Sequence, residues 1–164
     1  MPCDLMLVGM NPGAKEDAEG RPFVGPAGRI LDEALRAAGL DRSRLFLTNA
    51  VKCFGAGRMP ARAEIRVCTG LYLQREIAEV RPRLIVALGD LAMRALTDRS
   101  GLGAHREQIL ELKPGLGNPV PVIATFHPSA LQHGGYSPRI RGALERDLRA
   151  AREWLEGRPS TAPR

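Results

Sequence analysis

Gly9-Met10-Asn11-Pro12-Gly13 and His127-Pro128-Ser129-Ala130-Leu131 are the segments of this 164-residue chain whose residue types and positions point to chemistry. The first sets a side-chain amide in a glycine- and proline-framed turn directly after an apolar run. The second opens with an imidazole at the end of another apolar run. An amide both donates and accepts, and an imidazole changes charge near neutral pH, so either can hold a polar ligand or a water. Each segment alone is also ordinary, because Asn-Pro-Gly reverses a chain and His-Pro-Ser opens a helix. No G-x-G-x-x-G opens a helix at the first segment, which excludes a dinucleotide fingerprint. Asn49 ends a third apolar run, and Phe23 is an aromatic in a Gly/Pro-rich loop where nothing local demands one. With only four Phe, two Tyr and one Trp, the core must be aliphatic and a loop aromatic is unusual.

The hydrophobic pattern supplies elements to position these residues. Residues 4–8, 44–48, 83–88 and 121–126 are short apolar runs that read as buried strands, with a further strand over 108–112. Residues 9–28, with five Gly and three Pro, are too irregular for an element. Ile30, Leu31, Ala34, Leu35 and Ala38 keep helical spacing, and Gly39 stops that helix. A helix is expected over 61–80 with Ile65, Cys68 and Tyr72 on one face, and another over 91–96. Ser137-Pro138 starts a long helix whose stripe is Ile140, Leu144, Leu148, Ala151 and Leu155. Alternating strands and helices predict an α/β fold, a three-layer αβα sandwich around a mostly parallel sheet of four to five strands. One domain is expected over 1–157, with a disordered tail over 158–164. In such sheets ligands bind beyond the carboxyl ends of the strands. Those ends carry Gly9-Met10-Asn11, Asn49, Gly89 and His127.

A formal net charge of +6 fits a polyanionic partner, since Arg and Lys pair with phosphates and release counterions. An Arg-rich protein with no such partner fits the charge equally well. No apolar stretch approaches the roughly 20 residues that span a bilayer, so no membrane association is expected. The N-terminus has no secretory signal pattern, and three unevenly spaced cysteines make no disulfide framework. The expectation is a cytoplasmic monomer.

The ordered set is more specific than its parts. After GMNPG come Gly20-Arg21-Pro22-Phe23-Val24-Gly25-Pro26-Ala27-Gly28, then Leu47-Thr48-Asn49-Ala50-Val51-Lys52-Cys53, then Leu84-Ile85-Val86-Ala87-Leu88-Gly89 and Thr125-Phe126-His127-Pro128. From about residue 4 to 155 this series resembles the uracil-DNA glycosylase superfamily, most closely its fourth, iron–sulfur-containing family. The first motif departs from that family's usual GEAPG and looks like that of the single-strand-selective monofunctional glycosylases. The resemblance implies hydrolysis of the N-glycosidic bond of uracil, extending to other deaminated bases, in DNA, leaving an abasic site. The base must leave the stack to be reached. Phe23 would stack on it, Asn49 would meet uracil O4 and N3–H, and Gly9 and Met10 would line its pocket. His127 would donate to O2 as negative charge develops there. Asn11 and Glu16 are both candidates for water activation, Asn11 slightly ahead. Leu131 would enter the gap left by the base, with Ser129, Arg139 and Arg141 on phosphates.

The same resemblance matches Cys53 and Cys68 to two of the four 4Fe–4S ligands of the fourth family, whose N-terminal C-x-x-C has no counterpart here. Either the true start lies upstream or this branch lacks the cluster. The expectation is no complete cluster and none required for catalysis. The alternative function is a uracil-DNA binding protein without turnover, such as the crosslinking branch with its KRRIH-like insert. Residues 54–60 are short and lack His, which favours hydrolysis. A nucleotide-binding domain with no DNA role is the remaining reading.

Overall fold

A computed structural model describes residues 3–132 and 137–157. The expected tail over 158–164 lies outside them. Four parallel strands, β1 (Leu5–Gly9), β2 (Phe46–Asn49), β3 (Leu84–Leu88) and β5 (Pro121–Thr125), and an antiparallel edge strand β4 (Ile109–Glu111) form one sheet of order β2-β1-β3-β5-β4. β1 and β3 are buried along their whole length. They can be continuous apolar runs because helices cover both faces.

Successive strand residues point to opposite faces, and the sequence supplies two cores accordingly. Met6, Val8, Ile85, Ala87, Val122 and Ala124 face one side, packing with Leu73, Ile77, Met93 and Leu96. The last four come from the segment leading into α4 (Gln74–Val80), from α4 itself and from α5 (Asp90–Thr97). Leu5, Leu7, Leu84, Val86 and Leu88 face the other side. There they meet Leu31 and Leu35 of α2 (Pro26–Ala37) and Leu144, Leu148 and Ala151 of α7 (Pro138–Leu155). The three-layer αβα sandwich with a mostly parallel sheet is the expected one.

Three local readings are corrected. Residues 9–28 contain α1 (Ala14–Glu19), closed by Gly20 in the left-handed region, and the first turn of α2. The helix expected over 61–80 is α3 (Arg62–Cys68) and α4 joined by a π-helical turn, Thr69–Leu73. The wider turn inserts a residue. The buried stripe therefore steps from Cys68 to Leu73, Ile77 and Val80, leaving Tyr72 on the surface. α7 starts as expected, Ser137 Oγ accepting from Ile140 N at 3.4 Å. Its buried face, however, includes the charged Asp147.

Chain order places β2 on one side of β1 and β3 on the other. That reversal opens a crevice beyond the carboxyl end of β1, where Gly9-Met10-Asn11 leaves the sheet.

Candidate active site

Gly9 is in register with Asn49, and the chain stays paired beyond the strand ends. Ala50 N donates to Gly9 O and Val51 N to Met10 O, each at 2.9 Å. Met10 is half-buried. A Cβ built on Gly9 would lie 2.6 Å from Asn49 Oδ1 and 2.6 Å from Phe23 Cζ. The missing side chain is therefore what lets the amide and the ring edge approach each other. Asn49 and Phe23 are both buried. The Phe23 and His127 rings lie 6.0 Å apart, centroid to centroid, tilted by 34°. Four residues from four separate segments thus converge at the carboxyl end of β1.

His127 lies two residues beyond the last residue of β5 and opens a 3₁₀ turn, Pro128–Leu131. Gly89 (φ 95°) lets the β3 end pass close by, since a Cβ there would meet His127 Cβ at 3.1 Å. Ser129 N donates to His127 Nδ1 at 3.1 Å, and Ser129 Oγ lies 2.8 Å from the same nitrogen. A backbone N–H can only donate, so Nδ1 is the acceptor and the proton of the neutral ring sits on Nε2. Burial pushes the imidazole pKa down to about 4, the Glu16 carboxylate partly opposing it. Sequence alone left its protonation open; at neutral pH it is an uncharged Nε2–H donor.

Glu16, on α1, spends its carboxylate on backbone. Oε1 accepts from Val24 N at 3.1 Å and Gly25 N at 2.8 Å, ahead of α2. Gly13 and Gly25 pack against the same carboxylate, where a Cβ would come within 2.7 Å and 3.0 Å. Asn11 Nδ2 donates to Pro12 O at 3.3 Å, while its Oδ1 is buried without a partner. Next to Asn49, Lys52 Nζ reaches Thr48 Oγ1 (2.6 Å), Asn49 O (2.7 Å) and Glu76 Oε2 (2.6 Å). This network ties the end of β2 to α4.

Of the residues expected on DNA, Ser129 is turned toward His127. Leu131 is half-buried at the end of the 3₁₀ turn, which packs on α2. Arg139 is exposed. Arg141 is half-buried between Glu33 and Glu145, at 3.1 Å and 3.0 Å.

Sequence reasoning missed Arg106 and Asp147, which meet Thr125 and Phe126, the two residues ahead of His127. Asp147 Oδ2 accepts from Thr125 Oγ1 at 2.6 Å and from Arg106 Nε at 2.7 Å. The guanidinium lies over the Phe126 ring, 5.3 Å from its centroid. No local pattern marks this pair, since its partners are 41 residues apart.

Cys53 is exposed and Cys68 buried. Both line a cavity of about 350 Å³ with Val51, Phe54, Pro60 and Val67 among its walls. Among the described residues no three His, Cys, Asp or Glu side chains come together as a metal site. Two thiols supply half of a four-thiolate set, so these residues alone do not hold a 4Fe–4S cluster.

Comparison with known proteins agrees with this architecture. The model of the Uracil DNA glycosylase superfamily matches residues 2–153. The Type-4 uracil-DNA glycosylase of Pyrobaculum aerophilum is 38% identical over 155 residues, covering 90% of this chain and 76% of that protein. That of Saccharolobus solfataricus is 36% identical over 167 residues, covering 97% and 74%. The Type-5 uracil-DNA glycosylase of P. aerophilum is 34% identical over 142 residues, covering 77% and 62%. With a superfamily model spanning nearly its whole length and Type-4 relatives above 30% identity, the chain belongs to the uracil DNA glycosylase superfamily and is a monofunctional DNA glycosylase.

Proposed function

We propose that the chain hydrolyses the N-glycosidic bond of uracil in DNA and releases the free base. The observation that carries this reading is the convergence of Phe23, Asn49 and His127 at the carboxyl end of β1, where the bare Gly9 backbone lets the Asn49 amide and the Phe23 ring come together. Uracil stacked on Phe23 presents O4 and N3–H to the Asn49 amide, which supplies a donor and an acceptor together. Cytosine reverses those edge groups, so an amide held in the uracil-reading orientation is left with both partners unpaired, a mismatch that such sites reject strongly. Hypoxanthine and xanthine repeat the carbonyl and N–H edge of uracil, which makes them secondary substrates.

In the reaction the bond from the sugar C1′ to N1 breaks and its electron pair passes onto the base. Negative charge then reaches O2, where the neutral His127 Nε2–H donates. A preorganised donor of this kind contributes about 3–4 kcal/mol. Water adds to C1′ and gives up a proton to solvent. Asn11 Oδ1 is the group we assign to holding that water, because an unpartnered buried acceptor costs roughly 1–3 kcal/mol unless something fills it. Glu16 steadies the Phe23 loop through Val24 and Gly25 and lends negative charge near His127. Leu131 enters the base gap, Ser129 and Arg139 meet phosphates, and Arg141 follows only on exchanging its carboxylate partners. The hydrolysis draws its chemistry from these side chains and requires no cofactor.

A base-release panel tests this on the purified chain, with uracil, hypoxanthine, xanthine and cytosine in single- and double-stranded oligonucleotides. Uracil release with alkali-labile sites is expected, without a visible iron–sulfur absorption band. Release of none of the four bases, or a heat-stable protein–DNA adduct, would replace hydrolysis by binding.

A further inference from the structure

Phe23 holds its ring at the site from a backbone that a bulky residue avoids. Its φ is 53°, in the left-handed region. Something must hold it there, and Glu16 accounts for only half of the hold, the N–H groups of Val24 and Gly25. The carbonyls of the same turn go the other way. Arg42 Nη2 donates to Phe23 O at 2.9 Å and to Pro22 O at 3.0 Å. Its Nη1 is paired with Asp32 on α2. α2 closes the arrangement through Gly28, where a Cβ would lie 2.0 Å from Phe23 O. Arg42 itself sits in a 3₁₀ turn, Arg42–Arg44, whose Asp41 cap accepts from Ser43 N at 2.9 Å just ahead of β2. The Arg42 backbone is therefore fixed at the entrance to the strand that ends in Asn49, and its guanidinium reaches from there to the Phe23 turn.

We propose that Arg42 is a positioning residue for the base-stacking ring, locking the Pro22–Phe23 carbonyls so that Phe23 faces Asn49 and His127. The proposal rests on the assignment of Phe23 as the stacking platform. Only a planar fork suits the task. Its two arms take two adjacent carbonyls and a carboxylate at once, whereas a Lys ammonium offers one compact charge at a single point. Arg42 touches no reacting atom and acts through the orientation of the ring. Its effect must therefore vanish when the ring is removed.

A double-mutant cycle tests this. Single-turnover uracil excision is measured for the wild type, Phe23→Ala, Arg42→Ala and the double variant, with base extrusion followed by 2-aminopurine fluorescence next to the uracil. A displacement of about 1 Å costs up to about 10²-fold, so Arg42→Ala is expected to slow excision about 10- to 100-fold and to reduce the extrusion signal. Added to Phe23→Ala it should have no further effect. Arg42→Lys, which keeps the charge and folds where the alanine variant does not, should recover only part of the rate. Wild-type excision in Arg42→Ala or in Arg42→Lys, or an undiminished Arg42 effect in the Phe23→Ala background, overturns the inference and leaves the platform intact. Wild-type excision in Phe23→Ala overturns the platform assignment, and the inference with it.

Discussion

Replacing His127 by Ala tests the catalytic reading and the electrostatics together. The neutral Nε2–H donor is lost, and with it about 3–4 kcal/mol of transition-state stabilisation. Single-turnover uracil excision should fall roughly 10²- to 10³-fold. The same substitution has a stability signature. In the folded protein the imidazole pKa is pushed down to about 4, chiefly by burial and against the opposing pull of Glu16. An unfolded histidine titrates near 6.5. Between those values the unfolded chain takes up a proton that the folded chain refuses. Stability linked to His127 is thus complete above about pH 6.5, declines as pH falls toward 4, and changes no further below that. At about pH 4.5 the deficit is about 2.5 kcal/mol, from about 1.4 kcal/mol per pH unit less the part regained near the folded pKa. Urea denaturation at about pH 7.5 and 4.5 measures it. The wild type should lose about 2.5 kcal/mol more on acidification than His127→Ala, in which the other titrating groups are unchanged. The wild-type excision rate should also stay level down to about pH 5.5, because the neutral donor persists. Two results would refute the reasoning: equal acid losses in the two proteins, or a His127-dependent rate limb centred near pH 6.5.

Gly9→Ala should place a methyl group against Asn49 Oδ1 and the Phe23 ring edge. It should cost about 1–3 kcal/mol by overpacking and abolish most excision, read from a denaturation curve and a base-release assay. Asn11→Ala should slow excision while leaving affinity for a non-cleavable uracil oligonucleotide unchanged; an equal loss of both would assign Asn11 to binding. Asp147→Ala strands Arg106 and the Thr125 hydroxyl in a largely buried position. Thermal or urea unfolding should show a loss of about 3–5 kcal/mol.

The fold was legible because its largest signals are local. The strands over 4–8 and 83–88 are covered on both faces, so their apolar runs needed no knowledge of neighbours to be recognised. Asn49 and His127 could be singled out because polar residues ending such runs stand at the carboxyl edge of a parallel sheet. The π-helical turn at Thr69–Leu73 was not legible, because a helical pattern assumes constant pitch. The packing of Leu73 in place of Tyr72 reveals the extra residue.

The sequence by itself determined the element types, the superfamily resemblance and which residues could do chemistry. Tertiary structure alone decided how those residues are held and charged. The Gly9 requirement is a distance to Asn49 and Phe23, residues that arrive from other segments. The neutral Nε2–H state of His127 follows from its burial and from the direction of the Ser129 N–H. Glu16 and Arg42 act on the Phe23 turn through backbone groups, whose orientation no side-chain pattern encodes. Composition and periodicity record which groups a chain carries. Hydrogen-bond direction, desolvation and close approach depend on which groups meet.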